Sequence, residues 1–231
     1  MLIKLDHTAT LNIQEVRHQL HLGKQLVLIK NFPLDDLYLE NFILKLGKPV
    51  LEARNIKGKS VFDVEVSKHN DFFKSIANSN LDFPLHTDCS DFHPIPNSIA
   101  MLCVEPAHKK QGISHFALLA TILDTLSDAE KKELVQKQWT FRNKQRPILL
   151  QENNTYKICY DRITIESFSE VSPKDLELLN KLDTLFIASS FSMLLEKGDL
   201  ILFRNDLMLH GRGGFDIDTK RLLKRVRFQI D

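Results

Sequence analysis

Residues 191–230, FSMLLEKGDLILFRNDLMLHGRGGFDIDTKRLLKRVRFQI, hold three short apolar or alternating runs at 191–195, 199–203 and 222–230, separated by turns such as Glu196-Lys197-Gly198. With helices dominating the front of the chain and β-structure the middle and end, an antiparallel arrangement is favoured over a parallel βαβ sheet. Upstream, SIAMLCV at 98–104 is a further strand, and SVFDVEV at 60–66 alternates like a half-buried one. The polar stretch 67–82 reads as a surface excursion able to act as a lid. Helices frame these strands. The spacing predicts one over 13–22, a buried strand over 25–30, and a second helix over 34–46 stopped by Gly47 and Pro49. Ser127-Asp128-Ala129-Glu130 is a capping box opening a helix to about 137, and Ser172-Pro173 opens another to about 188. No repeat of solenoid length is visible. The pattern fits one α+β domain spanning 1–231, built round an antiparallel barrel or jelly roll flanked by helices.

Composition narrows the function. The chain has 231 residues, 43% of them hydrophobic, enough to bury a sizeable core. Its formal charge of +1 supplies no global field for nucleic acid or an anionic membrane, so neither is expected as a partner and any basic feature must be local. No apolar run approaches a membrane span or a secretory core segment, and Cys89, Cys103 and Cys159 are too far apart for a metal-type pair. Reduced thiols and a cytoplasmic location are expected.

His86-Thr87-Asp88 places two ligand types at i and i+2, which on a strand share a face. Nine histidines and thirty acids leave about one such pair to chance, and the chain has two, so the motif alone decides little. The other, His69-Asn70-Asp71, lies in a polar run and reads as loop. His86 follows Phe83-Pro84-Leu85, and His210 ends the apolar run Leu207-Met208-Leu209 just after a strand. Two histidines and one carboxylate make a facial triad with open coordination positions, suited to non-haem iron. They suit zinc equally well. The last strand then places Arg221, Arg225 and Arg227 on one face by period two, and a buried arginine face is costly unless it meets an anion. The bland alternative is an edge strand guarded by basic residues.

These residues carry a family resemblance. An early helix, strand, helix run ends in Leu46-Gly47-Lys48-Pro49; LHTD follows at 85–88, then Gly112-Ile113-Ser114, then GDLILFRNDLMLHGR at 198–212, then Arg221. The chain resembles the Fe(II)/2-oxoglutarate-dependent oxygenases of the taurine dioxygenase and clavaminate synthase-like superfamily. The resemblance implies a double-stranded β-helix core, jelly-roll and cupin-like. It implies Fe(II) held by His86, Asp88 and His210, with Arg221 pairing the distal carboxylate of 2-oxoglutarate and Ser114 donating to that cosubstrate. Arg225 matches a position that grips a substrate anion, and Asp82 one near the substrate, where an acid would suit a cationic amine. With dioxygen as co-reactant, the expected products are succinate, carbon dioxide and an oxidised, typically hydroxylated, small anionic or amino-acid-like substrate. Halogenating members lack the carboxylate that Asp88 supplies here.

For so short a chain, closure over the substrate is expected from 55–82 and 143–168. Phe92 and Phe215, close to ligands in sequence, are candidates for the substrate pocket. Two rival classes remain: a non-catalytic jelly-roll protein that senses 2-oxoglutarate, and a zinc hydrolase, for which the inward arginines have no use.

Overall fold

The computed structural model describes residues 2–8, 11–51, 59–66, 76–153 and 155–231. The first half runs β1 (Leu2–Asp6), α1 (Ile13–Leu22), β2 (Leu26–Lys30), α2 (Asp36–Leu46), β3 (Lys48–Pro49), β4 (Val61–Val64), β5 (Phe83–His86), β6 (Ser98–Glu105) and β7 (Ser114–Leu118). The second runs α3 (Leu119–Leu123), α4 (Asp128–Gln136), β8 (Trp139–Phe141), β9 (Lys144–Arg146), β10 (Leu149–Glu152), β11 (Thr155–Ile158), α5 (Arg162–Phe168), α6 (Pro173–Ala188), β12 (Ser190–Met193), β13 (Leu200–Arg204), β14 (Met208–Arg212) and β15 (Leu222–Gln229).

Helix ends follow local chemistry. Asn12 accepts from the amides of Gln14 and Glu15 to start α1, and Gly23, at φ 62°, ends it in the left-handed region. Ser127 and Glu130 cap α4 reciprocally. Ser172 does the same with Asp175 at the start of α6, where Pro173 takes the first turn.

Two sheets result. The larger has the order β1-β2-β13-β6-β15-β3, with β4 also beside β15; the smaller has the order β12-β7-β14-β5. β13 runs antiparallel to β2 and β6, and β14 antiparallel to β5 and β7, although each pair joins strands far apart in the chain, and the consecutive β13 and β14 lie in different sheets. One edge departs from the antiparallel expectation. Leu2–Asp6 pairs parallel with Leu26–Lys30, because the intervening α1 supplies a crossover.

Alternation along each strand sets the layers. In the larger sheet Val27, Ile29, Ala100, Leu102, Leu200, Leu202, Val226 and Phe228 face α1 and α2. Their neighbours Leu28, Ile99, Met101, Ile201, Phe203 and Leu223 face the smaller sheet, where they meet Phe116, Leu118 and Met208. The outer face of the smaller sheet, through Leu85, Ala117 and Leu209, packs on a third cluster holding Trp139, Phe141, Ile148, Ile158, Tyr160, Leu179 and Phe186.

That third cluster overturns the expectation that 143–168 is a closing lid. Ile148, Leu149, Ile158, Tyr160 and Ile165 are each 3% exposed or less, so this stretch is a packed layer behind the smaller sheet. Of the other proposed lid, residues 55–58 and 67–75, and with them His69 and Asp71, lie outside the described residues.

A candidate metal centre and its cavity

The parity that buries Met208 between the sheets also turns His210 and Arg212 inward, and the parity that points Leu85 outward turns His86 inward. Across the gap, Leu223, Arg225 and Arg227 of β15 share the inward face. All of these groups converge at one end of the space between the sheets.

His86 and His210 are register partners on β5 and β14, and their ring centroids lie 4.3 Å apart. Gly211 permits this approach: a Cβ there would lie 2.8 Å from the Phe83 carbonyl oxygen on β5. Phe83 stacks on the His86 ring at 3.8 Å. His86 Nδ1 donates to the Pro84 carbonyl at 2.8 Å, which orients the ring and turns Nε2 toward Asp88 and His210. That Nε2 is buried and has no hydrogen-bond partner among the described residues.

Asp88 arrives by a different route from the one the i, i+2 spacing suggests. β5 ends at His86, so no shared strand face carries Asp88; it lies in the following turn. That turn is pinned on both sides. The Thr87 amide donates to Tyr160 O at 2.7 Å and Thr87 Oγ1 accepts from the Tyr160 amide at 2.9 Å. Asn205, fully buried between β13 and β14, accepts from the Asp88 amide at 2.8 Å. It also donates to the Asp88 and Pro96 carbonyls at 3.0 and 2.8 Å. Sequence reading passed over Asn205, since nothing local distinguishes it from a turn residue.

The result is a cluster in which His86, Asp88 and His210 each offer one donor atom, all within 4.8 Å of one another. Asp88 Oδ1 lies 3.3 Å from His86 Nε2 and 3.5 Å from His210 Nε2. Oδ2 faces the other way, to Arg225 Nη1 at 3.1 Å and Arg227 Nε at 2.6 Å. Burial works to raise the Asp88 carboxyl, but Arg225 and the two imidazoles outweigh it and hold the group well below the ordinary carboxylate range. Burial, with His86 beside it, pushes the His210 imidazole down to about 4, so it is neutral at pH 7. Two imidazole nitrogens, one of them buried without a hydrogen-bond partner among the described residues, and one ionised carboxylate oxygen fit a divalent transition metal.

The cavity beside this cluster is lined on its apolar side by Val64, Ala77, Phe83, Met101 and Leu223, and on its polar side by Ser114, Arg212, Arg221 and Arg225. Ser114 and the three arginines are each 4–7% exposed. Burial, reinforced by Arg212, lowers the Arg221 guanidinium to about 10, still protonated at neutral pH. Gly112, at φ +63°, lets Arg221 lie close: a Cβ there would come within 3.1 Å of Arg221 Nε.

Asp82 is exposed at the outer end of β5, and its Oδ1 accepts from the Gly214 amide at 2.7 Å. Phe215 lies under Arg212 and Arg221, at 4.8 and 5.4 Å from the two guanidinium carbons, while the Phe92 carbonyl accepts from Arg146. Neither ring is among the residues lining the cavity. Arg212 is the charged cavity residue that sequence reading left unassigned; its i+2 spacing from His210 was the available signal.

The family model described as taurine catabolism dioxygenase TauD, TfdA family, matches residues 3–227. No curated protein sequence matches significantly. Among solved structures, asparagine oxygenase superposes with a TM-score of 0.80 at 18% identity, over 95% of this chain and 77% of that one. The PvcB protein of Pseudomonas aeruginosa gives 0.75 at 18%, over 98% and 84%. A taurine dioxygenase from Burkholderia xenovorans gives 0.73 at 17%, over 99% and 88%. Asparagine oxygenase has been solved with Fe(II), hydroxyasparagine and succinate, and PvcB is described as an Fe, alpha-ketoglutarate dependent oxygenase. At these identities the likeness is one of fold.

Proposed function

The chain belongs to the TauD, TfdA family of dioxygenases, and from that premise we propose that it is an Fe(II)- and 2-oxoglutarate-dependent oxygenase that hydroxylates a small anionic or amino-acid-like substrate. Its two packed sheets are then the double-stranded β-helix, or jelly roll, of one domain spanning 1–231. The protein works in the cytoplasm, a reading supported by the buried, unbridged Cys103 and Cys159.

The observation that carries this reading is the convergence of His86, Asp88 and His210 on one point, with Arg221 in the same cavity. When bound there, Fe(II) supplies the activation of dioxygen that couples decarboxylation of 2-oxoglutarate, to succinate and carbon dioxide, with oxidation of a C–H bond. The chain's own groups do the holding. His86, oriented by Pro84 O, and His210, kept neutral by burial, would supply the two nitrogen donors. Asp88 would supply one carboxylate oxygen, Oδ1, beside them. Arg221 holds the distal carboxylate through its planar fork, and Ser114 adds a hydroxyl donor.

Arg225 lines the cavity with its Nε buried and unpartnered among the described residues, which suits it to a substrate anion. Asp82, exposed at the rim, suits a cationic amine. Asparagine oxygenase, similar in fold, holds a hydroxylated amino acid, in keeping with a substrate of that class. With Asp88 present, hydroxylation rather than halogenation is the outcome.

Anaerobic addition of Fe(II) and 2-oxoglutarate is expected to give a weak visible charge-transfer band, and aerobic incubation with amino acids to give succinate in step with an oxidised product. If neither appears the reading fails. A band without succinate from any candidate substrate favours the sensor.

A further inference from the structure

Arg212 is used on both edges. It is 7% exposed, yet its Nη2 donates outward, to the carbonyls of Ile76 at 3.1 Å and Ser79 at 2.9 Å. Its Nη1 is buried with no hydrogen-bond partner among the described residues, on a side chain that lines the cavity. A guanidinium has five donors in a rigid fork, so one edge can fasten a turn while the other faces a ligand.

Its surroundings say what kind of ligand. Arg212 is the register partner of Ser114 on β7, so the two side chains share the inward face. Arg221 flanks the same Phe215 ring as Arg212. Asp82, the acid whose charge reaches Arg212, commits Oδ1 to the Gly214 amide. Two desolvated guanidinium groups side by side are costly unless an anion lies between them.

We propose that Arg212 is a second anion-binding guanidinium of this cavity, sharing with Arg221 the distal carboxylate of the 2-oxo acid, and that its hold on the Ile76–Ser79 carbonyls ties the order of that turn to the bound anion. Ala77, inside this turn, lines the cavity, and the Phe215 amide donates to Asn80 O at 3.0 Å just beyond it. Anion binding at Nη1 therefore steadies one wall of the pocket through Nη2. The inference rests on the cosubstrate reading given above.

The test compares 2-oxoglutarate with 2-oxovalerate, which keeps the chelating 2-oxo acid and lacks the distal carboxylate. Affinities are measured on the anaerobic Fe(II)-loaded protein. The quantity read is the ratio of the two, which a merely looser fold leaves unchanged. Arg212→Met is expected to weaken 2-oxoglutarate roughly 10- to 100-fold, the size of a charge-assisted hydrogen bond, with 2-oxovalerate little altered. Arg212→Lys, which keeps charge and stem, falls between. An unchanged ratio in either variant overturns the assignment. In the wild type 2-oxoglutarate slows amide exchange over 76–82, and in Arg212→Met it does not; no slowing in the wild type overturns the coupling. Should the wild type itself fail to prefer 2-oxoglutarate, the cosubstrate reading falls, a result distinct from an unchanged ratio in the variants.

Discussion

Arg227 Nε donates to Asp88 Oδ2 at 2.6 Å, on the side of the carboxylate turned away from His86 and His210. With Arg225 Nη1 at 3.1 Å from the same oxygen, Asp88 is clamped so that only Oδ1 points at the histidines. His86, Asp88 and His210 would therefore offer a metal one carboxylate oxygen beside two imidazole nitrogens.

Arg227→Met removes the shorter of these contacts and is expected to weaken Fe(II) binding roughly 10- to 100-fold, the usual cost of losing a partner behind a metal ligand. Anaerobic Fe(II) titration with a competing chelator measures it. Wild-type affinity in the variant would show that the clamp is idle.

Asn205→Leu leaves the Asp88 amide and the Asp88 and Pro96 carbonyls without their partner. Each buried group so stranded costs about 1–3 kcal/mol, so the variant should unfold at clearly lower denaturant and also bind Fe(II) poorly. A stable variant with an intact metal site would remove Asn205 from the account of how Asp88 is placed.

Gly112→Ala combines two penalties: a left-handed φ of +63° and a Cβ 3.1 Å from Arg221 Nε and 3.2 Å from its Cδ. Because a side chain can give way more readily than backbone, Arg221 should shift, and the KM for 2-oxoglutarate should rise about tenfold or more, equal to roughly one charge-assisted contact. Fe(II) affinity should hardly change, since none of the three donors touches Gly112. A loss confined to Fe(II) binding contradicts this placement.

Burial pushes the Cys103 and Cys159 thiols up to about 12, whereas an unfolded cysteine ionises near ~8.5. The folded state keeps protons that the unfolded state releases, so this contribution is present below ~8.5 and is lost as pH rises toward 12. The buried Tyr160 phenol, held by Asp183, is raised as well and acts in the same sense. Denaturant midpoints should therefore fall on the alkaline side, less steeply when both cysteines are replaced by alanine, and neither thiol should label in the native protein at neutral pH.

Much of the architecture was legible because it is written in local chemistry. The capping boxes at Ser127 and Ser172, the alternation of 98–104 and the stops at Gly47 and Pro49 each act within a few residues. β1 and the short strands β8 to β11 escaped, since three to five residues carry too little periodicity to stand out before a partner strand is known. The stretch 143–168 looked like a closing segment for the same reason, and only its packing with α4 and α6 behind the smaller sheet shows it to be a layer.

By itself the sequence determined which residue types were on hand: a His-x-Asp pair, a distant histidine after an apolar run, and arginines in step along the final strand. Side-chain parity is a property of the strand alone, so the shared face of Arg221, Arg225 and Arg227 was readable in advance, while its turn toward the cavity was not. Tertiary structure decided the rest: that Asp88 is steered by Asn205 and Arg227 rather than by its own strand, and that Arg212 faces the cavity with one edge and a turn with the other. Those contacts join residues more than a hundred positions apart, and no local propensity encodes which distant partner a buried donor will meet.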